Sequence, residues 1–389
     1  MASTKLTRTN GTSTNLKKWT WSAWIKRGII GTQETFVVTR NNDNNYSRIR
    51  TDPDVLQFED RFSSNTVTDI KSTEVLRDPN AWYHIVVRID YTQSSAADRA
   101  RMYVNGTEVT YSLTTRQSQD GNSYFNDATN HALGHYNNNN YFNGCMSHVH
   151  FTDGYSYGPD TFGSTDSTTG EWKINTSPSV TYGNNGYFVL KDSNGVTDQS
   201  GNSNNFTVGG GTLTQTEDNP SNNFATLNIL NLQTTGLVIA NGKLNQTGHA
   251  TGSDAFRTMY GSIGASSGKF YWEMKVLGTN PSDAMNMRYG IVDADQMDQL
   301  NGTFHNETRG YAYTGNSGNI QNGSNNNSYG NTYTTDDIIG CAVDLDNSKL
   351  YFSKNGTWQN SGDPTSGSTG TGAISITDPS STTLGNYFP

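Results

Sequence analysis

DDIIGCAVDLDNSKLYFSKNGTW, from Asp336 to Trp358, spells out two strands and two turns. Cys341, Val343 and Leu345 alternate with Ala342 and Asp344, the period of a strand buried on one face. Asp346, Asn347 and Ser348 supply turn chemistry, and Leu350 and Phe352 restore the apolar face on the return. Asn355-Gly356 then turns the chain again, because both residues tolerate positive φ. RMYVNGTEV, Arg101 to Val109, repeats the strand, Asn-Gly, strand order in a different setting. Two β modules in series are the expected architecture.

Composition agrees. The 389-residue chain is long enough for two domains, each with its own core. Only 32% of residues are hydrophobic and 16% charged, while Gly alone reaches 40, so strong helix formers are too few for helices to dominate. Aromatic residues make up 11% and fall in alternating runs, which separates the chain from low-complexity sequence. A formal net charge of -9 with no clustered cations argues against a nucleic-acid partner. No apolar run approaches the roughly 20 residues of a membrane-spanning helix, and MASTKLTRTN lacks the apolar core of a secretory signal. Cys145 and Cys341 fall in different modules on strand-like segments and read as buried free thiols, in keeping with assembly in a cytoplasm.

In the first module, KKWTWSAWIKR sets Trp19, Trp21, Ala23 and Ile25 on one face, with Thr20, Ser22 and Lys26 on the other. WYHIVVRID turns Tyr83, Ile85, Val87 and Ile89 inward and His84 and Arg88 outward. In YFNGCMSHVHF, Val149 and Phe151 point one way, His148 and His150 the other. This order of strands resembles the laminin-G-like, or concanavalin-like, jelly roll over roughly Thr7 to Phe162. Residues 1–162 are therefore expected as one antiparallel β-sandwich. Residues 163–223, dense in Gly, Ser, Asn and Asp, are expected as an irregular connector packed on that sandwich.

From 224 to 389 a second pattern runs. GLVIANGKL reads as a hairpin about Asn241-Gly242, and GKFYWEMKV puts Phe270, Trp272, Met274 and Val276 on one face. With MRYGIVDAD, RGYAYTG and the opening stretch, the order of motifs resembles the SPRY domain, a second antiparallel β-sandwich that binds partners through its loops. The fold class is all-β.

A further resemblance covers the join. The run from SHVHFTDG through GEW and YGNNGYF to DQSGNSNNFTVGG and DNPSNNFATLN, Ser147 to Asn228, is similar to wording in structural and tail-fibre proteins of marine bacteriophages. That resemblance implies a virion surface protein: a tail fibre or receptor-binding protein recognising a host glycan or protein through its loops. Its alternative is a capsid-decorating or head-fibre protein whose partners are other virion subunits, and a polysaccharide depolymerase comes last. A homo-oligomer, a trimer or a lattice subunit, is expected from the open strand edges and few edge-guarding Lys residues.

The chemistry of the residues points to binding rather than catalysis. A concanavalin-like glucanase needs acidic side chains clustered on one strand, and Glu59-Asp60 and Glu273 stand alone. His148 and His150 share a face, but no acidic or Cys partner is near in sequence, so they read as solvated residues. No cofactor is expected; the one opening is Ca²⁺ at Asp293, Asp295 and Asp298, whose loop lacks the Gly and distal Glu of a dedicated site and reads as ordinary turn residues. Two loops remain, HYNNNNYFNG from His135 and YTGNSGNIQNGSNNNSYGNTY from Tyr313. Tyr136, Asn139, Tyr141, Tyr313, Asn316 and Tyr329 are the candidate contacts, rings for the apolar face of a sugar and amides for its hydroxyls. The competing reading is that Asn and Gly make tight turns and Tyr caps the sandwich ends.

Overall fold

The computed structural model describes residues 3–191, 195–231, 238–247, 258–278, 287–299 and 304–389. The chain is nearly all β and divides into two compact units: Met1–Phe224 with Ala240–Asn245, and Ala225–Ile239 with Gln246–Pro389.

The first unit opens with β1 (Lys5–Thr9), β2 (Lys18–Arg27), β3 (Glu34–Asn42), β4 (Asn45–Thr51), β5 (Val55–Phe62) and β6 (Asn65–Val75). Then come β7 (Tyr83–Asp90), β8 (Ala100–Val104), β9 (Thr107–Glu108), β10 (Tyr111–Thr115), β11 (Asn130–Leu133) and β12 (Gly144–Asp153). The stretch expected as an irregular connector supplies β13 (Gly163–Thr165), β14 (Trp172–Ile174), β15 (Tyr187–Val189) and β16 (Thr207–Gly210). An eight-stranded sheet runs β10-β6-β5-β4-β3-β11-β1-β16 and a six-stranded sheet β15-β12-β2-β7-β8-β9, so β15 and β16 extend one sheet each. Asn105-Gly106 turns β8 into β9 with φ of 48° and 80°, where a β-branched residue would be strained.

The core lies between these sheets. Trp19, Trp21, Ala23 and Ile25 meet Val37, Ile49, Phe58 and Ile70 from the facing sheet. Trp19 stacks on Phe125 at 4.2 Å and meets Phe58 edge-on at 5.2 Å. Its indole N–H donates to Ser123 Oγ at 3.0 Å, and that hydroxyl donates to Asp60 at 2.7 Å. Burial pushes the Asp60 carboxyl up to about 7.

The outer face of the six-stranded sheet is covered. Lys26, on the polar side of β2, is buried and paired with Asp218 at 2.8 Å. His84 lies under Trp172, whose indole N–H donates to His84 Nδ1 at 3.0 Å, and stacks on Trp24 at 5.0 Å. His148 and His150 are buried too, which corrects their reading as solvated: His150 stacks on Phe188 at 3.8 Å and hydrogen-bonds the Tyr182 hydroxyl at 2.9 Å. Three carboxylates hold this layer. Asp153 accepts from the Thr14 and Asn185 amides, Asp198 from the Phe188 and Asn204 amides, and Asp218 from the Phe224 amide. Each accepts two or more donors, Asp218 from Lys26 as well, and a hydrogen bond to an ionised carboxylate is about twice as strong as a neutral one.

The second unit contains β17 (Val238–Ala240), β18 (Asn245–Thr247), β19 (Lys269–Lys275), β20 (Arg288–Asp293), β21 (Gly310–Thr314), β22 (Asn319–Asn322) and β23 (Asn325–Ser328). β24 (Ile338–Asp344), β25 (Lys349–Lys354), β26 (Thr357–Trp358), β27 (Ile374–Ser375) and β28 (Tyr387–Phe388) complete it. The β17–β18 hairpin turns at Asn241-Gly242, and its Ala240–Asn245 tip is counted with the first unit. One sheet runs β19-β24-β25-β26 with β27 beside β25, the other β23-β22-β21-β20-β28. Cys341, Val343, Leu350 and Phe352 face the core as their alternation requires. Cys341 is fully buried and Cys145 half-buried; both are free.

Candidate ligand-binding face

The outer face of the eight-stranded sheet differs from that of its partner. Because Val37, Ile49, Phe58 and Ile70 point into the core, their neighbours point outward. In register across the sheet, Thr207, Thr7, Ala132, Val38, Arg48, Glu59, Asp69 and Thr115 form one continuous row over all eight strands. Such a row spans roughly 30 Å.

At the middle of the row, Arg48 holds Glu59 through two nitrogens at 3.0 and 2.8 Å, while the Tyr46 hydroxyl donates to the other carboxylate oxygen at 2.6 Å. Burial, with Glu59 beside it, pushes the Tyr46 phenol up to about 12. The Arg48 guanidinium lies 4.4 Å from the Tyr136 ring and 5.1 Å from the Tyr46 ring. One step along, Arg50 donates to Gln57 at 2.9 Å and Gln57 to Asp69 at 2.6 Å.

Tyr136 stands on a turn closed by its own pairing with Asn139. Asn137 and Asn138 adopt φ of 48° and 57°, the left-handed conformations that Asn accepts at little cost. The turn reaches from Arg48 on β4 to Lys5 on β1, whose ammonium donates to Asn138 Oδ1 at 2.5 Å. It therefore crosses β3 and β11, which lie between those strands, and Val38 and Ala132 beneath it are buried. Asn139 is exposed; Tyr141 is half-buried and stacks on His135 at 5.8 Å.

Beyond the turn, at the β1–β16 end, lies a groove of about 460 Å³ lined by Thr7, Thr9, Asn130, Asn204, Asn205 and Thr207. Arg8 forms part of its wall, held by Asn10, the Asn185 carbonyl and Asn204. Hydroxyls and amides dominate this lining, the complement of a polyhydroxy ligand.

The loop from Tyr313 is a different matter. Tyr313 is 0% and Tyr329 8% exposed, and both belong to the core of the second unit. Tyr313 stacks on Phe352 at 5.3 Å, and the Tyr329 hydroxyl accepts from the Phe352 amide at 3.1 Å. Neither ring has a free face for a sugar, which corrects that part of the expectation; Asn316 alone of the three is exposed. The unit's own hollow, about 300 Å³, sits instead on the outer face of β19, β24 and β25, where Tyr271, Tyr351 and Trp358 surround Ala342. Trp358 meets both tyrosines edge-on, and Lys269 is paired with Asp344 at its rim.

On this face Glu59 is held by Arg48 and stands in register with Asp69, which accepts from Gln57. Glu59 points outward to Arg48, while Asp60 points into the core. Among the described residues, no group of three or more His, Cys, Asp or Glu side chains could hold a metal ion. Asp293 and Asp295 are engaged by Arg309, and Asp295 also accepts from the Thr383 and Leu384 amides. The Asp298 side chain lies outside the described residues. Sequence reasoning missed Arg48, Glu59 and the groove residues. The alternation of charge in NYSRIRT and VLQFEDRF was the available signal.

Comparison with known proteins places these features in context. Residues 2–155 match the concanavalin A-like lectin/glucanases superfamily, in its laminin-G type, and residues 269–371 match the SPRY domain. A Ran-binding proteins 9/10 homolog from Drosophila melanogaster is 34% identical over 101 residues, 26% of this chain and 10% of that protein. The chain thus spans only a tenth of the curated relative it matches. Among solved structures, a putative carbohydrate binding protein from Bacteroides ovatus is similar at 16% identity, covering 57% of this chain and 62% of the other, with a TM-score of 0.38. Domains LG4-5 of the mouse laminin alpha1 chain are similar at 10% identity, covering 99% and 78%, with a TM-score of 0.32. The chain carries a concanavalin A-like domain of the laminin-G type followed by an SPRY domain.

Proposed function

We propose that this chain is a recognition protein displayed on a virion, and that it holds a host-surface glycan on the open face of its first sandwich. One observation carries the reading: a mostly polar row crosses eight strands, with a groove lined by hydroxyls, amides and Arg8 at one end and the Tyr136 turn over its middle. A sugar chain presents what this surface can use, hydroxyls for Asn130 and Thr207 and apolar ring faces for Tyr136. The lectin-like family match of the first domain supports ligand binding, and the wording from Ser147 to Asn228 supports a phage source. The chain acts as a homo-oligomer, a trimer in a fibre, so that weak single sites add up through multivalency.

A glycan array probed with the purified chain tests this. Binding to bacterial surface polysaccharides is expected, reduced about tenfold by Tyr136→Ala and by Asn130→Ala, each of which removes one or two contacts. A blank array, or wild-type binding by both variants, overturns the reading. Antibody-labelled virions place the protein: label on the tail supports receptor binding, label on the head lattice supports the capsid-decorating alternative.

A further inference from the structure

One arginine on the outer face of the eight-stranded sheet has no salt bridge among the described residues. Beside the central row, Arg40, Tyr46 and Arg61 stand in register on β3, β4 and β5. Arg40 is paired with the exposed Asp43 at 2.8 Å, and Arg48 with Glu59 at 2.8 Å. Arg61 makes no salt bridge among the described residues; its neighbours are the Tyr46 hydroxyl and, farther off, Asp43. The Nε atoms of both Arg40 and Arg61 are buried without an acceptor. Of the four guanidinium groups on this face, Arg40, Arg48 and Arg50 are paired with Asp43, Glu59 and Asp52, which leaves Arg61.

Position sharpens the point. Two of these cations are fixed as planes: the Tyr136 ring lies 4.4 Å from the Arg48 guanidinium and 5.5 Å from that of Arg40. Half-buried arginines short of acceptors call for an oxygen-rich anion, and a carboxylate matches the guanidinium fork in shape as well as charge. The hydroxyl- and amide-rich groove lies on the same face, so one ligand can present hydroxyls there and an acidic group at Arg61 and Arg40.

We propose that the ligand of this face is an acidic glycan, a uronic-acid polymer whose sugar carboxylate is received by Arg61 and Arg40 on either side of Tyr46. This rests on the glycan reading above and goes beyond it by naming the sugar class. Specificity then comes from charge at the Tyr46 row, while the groove supplies sequence-tolerant hydroxyl contacts.

The test uses the whole chain against immobilised polygalacturonate, alginate and hyaluronate, each beside its fully esterified, neutral form. At least one acid is expected to bind about tenfold or more tightly than its ester, since a hydrogen bond to a charged group is worth about that factor. The preference weakens as salt rises from 0.05 to 0.5 M, because screening shortens the reach of charge. Arg61→Gln removes the preference and leaves ester binding unchanged, and Arg61→Lys recovers part of it. A circular dichroism melt of each variant confirms the fold. Equal binding of acids and esters, or an Arg61→Gln protein that keeps the preference, overturns the inference and leaves the glycan reading standing. Failure of acids, esters and the array together overturns both.

Discussion

The two outer faces of the first sandwich began with the same kind of sequence and ended differently. On the six-stranded sheet, outward residues such as Lys26, His84 and His150 are polar or titratable yet buried, because the chain from 155 to 223 returns over them. On the eight-stranded sheet, outward Arg48, Glu59, Arg50 and Gln57 are just as polar and also buried, but they satisfy one another within the face. Alternation decides which side chains leave the core; it does not decide what meets them. One polar face is closed by chain returning from elsewhere in the sequence, the other by pairing among its own side chains with the Tyr136 turn laid over them.

The largest effect is expected where the covered face holds a charge. Lys26 and Asp218 are each 1% exposed, so Lys26→Met leaves a buried carboxylate without its cation. A loss of about 4 kcal/mol in urea unfolding is expected. A loss under about 1 kcal/mol would mean that water reaches the pair and that the cover is loose. Next comes the cover itself. Trp172→Ala removes the indole packed on His84 and its hydrogen bond, and about 2 kcal/mol is expected for a half-buried Trp, measured the same way.

The third prediction concerns pH. His84 Nδ1 accepts from Trp172, and Nε2 lies 2.8 Å from Ser22 Oγ, an arrangement that suits the neutral ring donating through Nε2. Burial lowers its pKa to about 3, against about 6.5 for an unfolded chain. A depressed value means stability is present above the unfolded pKa and lost as pH falls toward the folded one. The stability advantage of the parent over His84→Phe should therefore shrink below pH 6.5, by about 1.4 kcal/mol per pH unit. A pH-independent difference between the two would show that His84 is solvated and titrates freely.

Much of this was legible and some was not. Trp19, Trp21, Ala23 and Ile25 declare a core face, and Asn105-Gly106 and Asn355-Gly356 declare their turns, since both signals are local. What covers Lys26 lies 192 residues away, so no period in KKWTWSAWIKR could reveal it. The signal was present elsewhere, in the acidic residues of FTDG, DQSG and DNPS, which accept from the backbone amides of Asn185, Phe188 and Phe224. Tyr313 and Tyr329 misled because Asn and Gly dominate their neighbourhood. Yet Tyr313 sits at an inward position of β21, where strand parity outweighs loop-like composition. Tyr136 was found by its loop chemistry, whereas its partner Arg48 required knowing that β4 lies beneath.

The smallest effect on stability, and the sharpest separation of the two faces, belongs to Tyr136→Ala. The ring is half-buried, and its stack on Arg48 is worth about 0.5–1 kcal/mol at a partly exposed site. Arg48 keeps Glu59 and the turn keeps its Asn-driven geometry and its bond to Lys5, so unfolding should move only by the ring's contacts with Arg48, Arg40 and Tyr46, about 1 kcal/mol in all. Glycan binding should fall about tenfold in the same variant, because the lip over the row is gone. The contrast with Trp172→Ala is the point: two aromatic residues, each laid over one sheet, one expected to lower stability and the other binding. If Tyr136→Ala destabilises the fold as much as Trp172→Ala does, the turn is a strap like the opposite layer, and the open face loses its claim to be a site.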